Sequence, residues 1–324
     1  MRALIHHTFA EPASALKVEE VADPVAGPGE AVVRMTASAI HNHDLLTVSG
    51  DYGFKPELPA RSGTEATGTV VAVGEGVTNV SVGQRVAGNA FGVWAEQFVI
   101  RAAGLIPVPD AISDESAAQL ISMPASALAL LNTLGVNEGD WIIQNAAGGA
   151  VGRLVAQFAK SRGIGVVGLV RRSDAIAELT ESGITGIVAT DQADWRDRVA
   201  EVTGGAPIVR GVDSVGGSAT GDLLSVLADG ARLSLFGGMG SWSFEGSMND
   251  IIFRGITIDG FWGSKVMPAL SAEERTALFG EILTKVTTGA ITLPVDGSYA
   301  LADVADAVAA HNRKGRIGKV LLHP

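Results

Sequence analysis

The stretch WIIQNAAGGAVGRLV (141–155) constrains the fold of this chain more than any other. An apolar run of strand length ends in a glycine turn, and an amphipathic run follows at once. Val151, Leu154, Val155 and Phe158 stand at i, i+3, i+4 and i+7, one face of a helix. Strand, turn and helix in that order make the first half of a βαβ unit. Ala147, Gly149 and Gly152 fall where a G-x-G-x-x-G dinucleotide fingerprint has its three glycines. Alanine still permits the tight turn, Gly149 lets the backbone approach a pyrophosphate, and Gly152 lets helix pack against strand. A helix starting near Ala150 would aim its unpaired N–H groups and positive dipole end at that phosphate. The competing reading is a tight βα turn with no ligand.

The rhythm continues downstream. VVGLV (166–170), GIVAT (186–190), IVRGVDSVGG (208–217), RLSLFGG (232–238) and ITIDGFW (256–262) read as strands, with helix-length segments such as SDAIAELTESG between them. Such alternation predicts a doubly wound parallel sheet, a Rossmann-type α/β domain. The N-terminal third differs. Short β-branched or alternating runs over 2–9, 29–40, 63–77 and 95–100 are bounded by Pro/Gly turns, and no helix-period run precedes about residue 113. Ser113 with Glu115 opens a helix running into AAQLISM. Beyond about 292 short strands return, with a helix over 302–315 and a last strand, KVLLHP. The expected organisation is a sheet domain over 123–292 inserted into a β-rich domain made of 1–122 and 293–324.

Charge and composition exclude several partners. Lys and Arg number 24 against 35 Asp and Glu, a net charge of −11. That balance argues against nucleic-acid phosphates and anionic membranes. No apolar run reaches the roughly 18 residues of a bilayer span. The opening MRALIHHTFAEP breaks its apolar run at His6 and His7, unlike a secretory signal, so a cytoplasmic protein is expected. Cysteine is absent, which removes disulfides, thiol nucleophiles and every thiolate zinc site. Where an NAD-binding chain would place an acidic residue for the ribose hydroxyls, Arg171-Arg172-Ser173 follows GVVGLV. A guanidinium fork pairs with a 2′-phosphate, so the expected cofactor is NADPH rather than NADH. Two solvated arginines at a strand end are the alternative.

GTEATGTVVAVGEGVTNVSVGQRVAG (63–88) resembles the medium-chain dehydrogenase/reductase superfamily, whose catalytic domain is GroES-like. Zinc members of that superfamily carry Gly-His-Glu, where this chain has Gly63-Thr64-Glu65, and a cysteine where it has His41. They hold a second zinc in a four-cysteine lobe, for which no residues exist here. The resemblance therefore implies a zinc-free member with no metal. SGDYGFKPELPARSGTEATG, FGVWAEQFV, GLVRR, LFGGM and GFWGSK are similar to the 2-enoyl thioester reductase branch, with quinone-oxidoreductase-like proteins next nearest.

By that resemblance Tyr52 is the catalytic tyrosine, and His41, Asn42 and Trp262 line the substrate or nicotinamide pocket. The implied cofactor contacts are Gly148, Gly149, Ala150 and Val151 at the turn and Arg171, Arg172 and Ser173 at the 2′-phosphate. Phe236, Gly237, Gly238, Met239, Phe261, Trp262, Gly263 and Lys319 complete them. Relatives usually form homodimers through the edge of the cofactor sheet. The chain departs from the branch around the nicotinamide: Ala146-Ala147-Gly148-Gly149 replaces Ala-Ala-Asn-Ser, Met123 precedes Pro124 in place of Asn, and His41-Asn42-His43-Asp44 replaces Asn-Pro-Ala-Asp. On a strand, the His41-x-His43 spacing would put both rings on one face.

Alcohol oxidation without a Lewis-acid metal lacks its alkoxide stabiliser. Reduction of an electron-poor C=C bond needs only positioning, a donor for the developing enolate, and a proton at the α-carbon. The expected activity is NADPH-dependent reduction of a 2-enoyl thioester or related enone, a small-molecule substrate. NADPH:quinone reduction is the runner-up, and a non-catalytic NADPH-binding redox sensor is the alternative outside enzymes.

Overall fold

The computed structural model describes all 324 residues, Met1–Pro324, as two compact units. One comprises Met1–Ser122 and Thr292–Pro324, the other Met123–Ile291.

The first unit is β-rich. Its long strand Glu30–Ala39 pairs antiparallel with Glu65–Val73 and with Gln97–Arg101. The C-terminal strand Lys319–His323 joins the same sheet, with Leu321 against Ala39 and Leu322 against Ser38. Alternation along Glu30–Ala39 sends Val33 and Met35 into a core that holds Trp94, Phe98, Leu4 and Ile40. The structure corrects the expectation of no helix before residue 113: α1 spans Asn42–Ser49. It is only eight residues long, too short for a helical period to stand out. Burial of Leu45 and Val48, about 1.5–3 kcal/mol each, holds it in place. The helix expected from Ser113 is a single turn, Asp114–Ala117, in which Ser113 accepts the Ser116 N–H. The next helix, Ser122–Leu134, belongs from Met123 onward to the second unit. It buries eight of its residues and so lacks a polar face to mark its period.

The second unit is a parallel sheet of β1 (Trp141–Gln144), β2 (Gly165–Val170), β3 (Ile187–Ala189), β4 (Ile208–Asp213), β5 (Arg232–Leu235) and β6 (Thr257–Gly260). Their order is 3-2-1-4-5-6, so the strand order reverses between β1 and β4. In open α/β sheets the crevice at the carboxyl ends of the strands at such a switch point takes ligands. Helices α2 (Ala150–Ser161) and α3 (Asp174–Glu181) follow β1 and β2.

Candidate functional site

On the sheet unit, every expected cofactor position except Lys319 lies in or just after the loops leaving the carboxyl ends of β1, β2, β5 and β6. Ala146 has φ of 49°, the one non-glycine residue with positive φ, and its carbonyl accepts the Gly149 N–H at 2.8 Å. A Cβ on Gly152 would stand 2.8 Å from that oxygen and 3.0 Å from the Ala147 Cα, so the third glycine is a packing requirement. Gly149 caps α2 without a side chain, and a Cβ on Gly148 would meet nothing. The head of α2 is thus open backbone with the orphan N–H groups of a helix start, a fit for pyrophosphate. Arg153, buried one turn on, donates its Nε to the Gly148 carbonyl at 2.9 Å and pairs with Glu178 of α3. This clamp on the turn went unnoticed in the sequence, where Gly-Arg-Leu reads only as helix.

Arg171 and Arg172 are exposed after β2. Arg172 pairs with Asp174 at 3.1 Å, whereas Arg171 enters no ion pair. The Ser173 N–H donates to Asp191 at 3.2 Å. After β4, Asp213 is fully buried and accepts from Asn145 Nδ2 at 2.7 Å, from the Val215 and Gly216 N–H groups, and from the Thr220 hydroxyl. It organises its own loop. The Phe236 and Gly237 N–H groups both bond the Asp213 carbonyl, and the Phe236 ring stacks on Phe261 at 5.8 Å. Met239 is exposed, Trp262 is 37% exposed, and Gly263 opens the short helix behind it.

The β-rich unit carries the titratable groups. His41 is the N-cap of α1, and its N–H donates to Asp44 Oδ2 at 2.9 Å. The H-x-H pair is therefore not on a strand, yet the His41 and His43 rings stack at 5.0 Å across the first turn. Glu65 is fully buried and takes hydrogen bonds from the Ile121 and Ser122 N–H groups and from His41 Nε2 at 2.8 Å. Three donors and no acceptor face it, so the carboxyl is ionised, although burial pushes its pKa up. With its proton on Nε2, His41 accepts through Nδ1 from Lys319 Nζ at 2.8 Å. Burial, and then the Lys319 charge, hold His41 well below the usual imidazole range, and it is neutral. Lys319 also donates to the Ile40 carbonyl at 3.2 Å, and burial, with help from Arg316, pushes it down to about 8. Glu65, His41 and Lys319 form a ladder of negative, neutral and positive groups. The sequence signalled Glu65 only through Gly63-Thr64-Glu65, with no role attached.

Zinc does not fit this donor set. Both ring nitrogens of His41 are engaged, one of them against an ammonium, and Thr64 gives its proton to Asp44 Oδ1 at 2.6 Å. No group of three or more His, Cys, Asp or Glu is arranged to hold a metal ion.

Tyr52 follows Gly50, which ends α1 with φ of 82°, and its ring lies 5.9 Å from that of His43. The Asn42 side-chain carbonyl accepts from His311 Nε2 at 2.7 Å, which fixes the amide.

The depressed Lys319 has a consequence for stability. The folded state releases this proton near pH 8 and the unfolded state near 10.5, so the lysine's contribution rises with pH across that window and is lost as pH falls through 8. Relative to Lys319→Met, the wild type is expected to gain about 2–3 kcal/mol between pH 7 and 10. Denaturant melts of both proteins measure this, and a pH-independent difference would contradict it.

Comparison with known proteins adds to this geometry. Residues 27–110 match the Alcohol dehydrogenase GroES-like domain family, and residues 150–279 match the Zinc-binding dehydrogenase family. The mitochondrial enoyl-[acyl-carrier-protein] reductases of Bos taurus and Homo sapiens are each 30% identical over 318 residues, covering 96% of this chain and 85% of theirs. A solved putative NADPH:quinone reductase from Bacillus thuringiensis superposes with a TM-score of 0.92 at 26% identity, covering 100% of this chain and 98% of that one. A mycobacterial protein solved in complex with NADPH gives 0.88 at 28% identity, with full coverage of both chains. No helix is long and apolar enough to cross a membrane.

Proposed function

The chain belongs to the medium-chain dehydrogenase/reductase superfamily of oxidoreductases, and from that premise we propose that it is a zinc-independent, NADPH-dependent reductase of activated C=C bonds, of the 2-enoyl thioester type. The observation that carries this reading is the Glu65–His41–Lys319 ladder. His41 stands where zinc members carry a cysteine, and with both its ring nitrogens engaged by Glu65 and Lys319 it offers no lone pair to a Lewis-acid metal that could stabilise an alkoxide. A reaction that needs only a hydrogen-bond donor and a proton suits such a site. NADPH, when bound, supplies hydride to the β-carbon. Tyr52 donates to the developing enolate and delivers the α-carbon proton, a role worth roughly 3–4 kcal/mol for one well-placed donor. The open head of α2 takes the pyrophosphate, Arg171 the 2′-phosphate, and Trp262 walls the nicotinamide.

The unpaired Arg171 gives a direct test of cofactor choice. Arg171→Ala is expected to raise the KM for NADPH about 10- to 100-fold and to leave that for NADH nearly unchanged. An unchanged NADPH/NADH ratio would remove Arg171 from the phosphate site.

Quinone reduction is the second reading, favoured by the solved neighbour described as a putative NADPH:quinone reductase. Purified protein should oxidise NADPH with crotonyl-CoA. Turnover with quinones alone would favour the second reading, and binding of NADPH without turnover on thioesters, enones or quinones would favour a redox sensor. We further propose a cytoplasmic homodimer. Trp242, Met248, Ile252 and Phe253, all more than half exposed, supply an apolar surface for it, and a monomer mass in sedimentation would remove the dimer.

A further inference from the structure

Two consecutive glycines stand at the turn between β1 and α2. Gly148-Gly149 replaces the Asn-Ser of the 2-enoyl thioester reductase branch, and glycine has more backbone freedom than any other residue. Open space surrounds the Gly148 Cα, and Ala146 just before it holds φ of 49°, which alanine rarely adopts. The peptide between the two glycines would turn over freely unless something held it.

Both of its ends are held. Its N–H, that of Gly149, donates to the Ala146 carbonyl at 2.8 Å. Its carbonyl, that of Gly148, accepts from Arg153 Nε at 2.9 Å. The following carbonyl, that of Gly149, accepts the Arg153 N–H, also at 2.9 Å. Arg153 thus grips two successive carbonyls, one with its side chain and one with its backbone. Its guanidinium is anchored in turn on α3 and the residue after it: Nη2 pairs with Glu178, and Nη1 donates to Ser182 Oγ at 3.4 Å. Ser182 gives its own proton to the Glu178 carbonyl at 2.9 Å, which leaves its oxygen to accept from Arg153. The Arg153 side chain is only 7% exposed. A cation buried that far gains little stability over a well-packed apolar side chain of similar volume. What it does provide is a turn of fixed shape. N–H and C=O point opposite ways across a trans peptide, so holding the Gly149 carbonyl aims the Ala150 N–H out of the head of α2.

We infer that Arg153 is a positioning residue for NADPH. It fixes the Gly148–Gly149 peptide from beneath, a task that two residues without side chains cannot perform for themselves. It acts through the turn and not by touching the cofactor. The inference rests on the reading of this turn as the pyrophosphate site.

The test uses Arg153→Met and Arg153→Lys in the full-length protein, with NADPH and NADH titrated by nicotinamide fluorescence. Arg153→Met should raise the Kd for both about tenfold, because the turn then spends about a tenth of its time in the binding shape. The ratio of the two Kd values should stay within about twofold, since both cofactors share the pyrophosphate and only one carries the 2′-phosphate. Arg153→Lys keeps a cation for Glu178 but loses the planar fork that also reaches Gly148, and should raise both about three- to tenfold. Backbone amide NMR reads the turn itself. In the cofactor-free protein the Gly148 and Ala150 resonances should be sharp in the wild type and broadened or doubled in Arg153→Met. An ion pair with a purely structural role would lower the melting temperature and leave both Kd values and these resonances unchanged. Kd values within about twofold of wild type in both variants, or a loss confined to NADPH, would overturn the role of Arg153. If Arg153→Met does not fold, Arg153→Lys decides by the same criteria. NADPH that leaves the wild-type Gly148 and Ala150 resonances unshifted would show instead that the pyrophosphate lies elsewhere, and the inference would fall with that reading.

Discussion

Tyr52→Phe is expected to lower kcat on a 2-enoyl thioester by about 100-fold or more, while the KM for NADPH stays within about twofold. The substitution removes one hydroxyl and keeps the ring, so the contact with His43 at 5.9 Å survives. On the proposed role, what disappears is a donor that matters only when charge builds on the carbonyl oxygen and the α-carbon needs its proton. An interaction made only in the transition state lowers kcat and kcat/KM together and leaves ground-state binding intact. Stopped-flow or steady-state NADPH oxidation with crotonyl-CoA measures it. Turnover within threefold of wild type would exclude Tyr52 as the donor. With a quinone acceptor the same variant should lose much less, because the oxygens that receive the protons are open to water.

Glu65→Leu should have the largest effect on stability. Glu65 is fully buried, and its carboxylate satisfies the Ile121 and Ser122 N–H groups and His41 Nε2. Leucine orphans all three donors and removes one of the two carboxylates whose charges support the Lys319 ammonium, Asp44 being the other. Breaking a buried ionic arrangement from one side costs about 3–5 kcal/mol, which corresponds to roughly 10 °C in the melting of a unit this size. Adding Lys319→Met should cost less than the sum of the single effects, because the second change removes the charge that the first left less compensated. Calorimetry on the three variants decides this. A Glu65→Leu melt within about 2 °C of wild type would mean that the ladder contributes little.

Much of the sheet unit was legible in advance. Short apolar runs, glycine turns and amphipathic helices are local signals, and β1 to β6 fall at WIIQ, GVVGLV, IVA, IVRGVD, RLSL and TIDG. The glycine fingerprint has a local cause too: Gly152 is required by a carbonyl six residues earlier in the chain. The misses share a different cause. Helix α1 is too short to show a period and is held by contacts made elsewhere in the unit. The helix Ser122–Leu134 is apolar nearly all round, and periodicity needs a polar face.

The titratable site was only partly legible for the same reason. His41, Asn42 and Tyr52 could be singled out because they stand in or beside recognisable motifs. Glu65, Thr64 and Asp44 could not be given their parts, because each acquires its role from a partner about 20 or more residues away: Glu65 from Ile121 and Ser122, Thr64 from Asp44 and His43, Asp44 from Thr64. Residue order determined the doubly wound sheet, the glycine turn at its first helix, the Arg171 position and the lack of thiolate ligands, since all of these are properties of neighbours along the chain. Tertiary structure alone decided that the His41 imidazole stands neutral between a buried carboxylate and an ammonium. Protonation and tautomer depend on burial and on hydrogen bonds between residues distant in sequence, which only folding brings together.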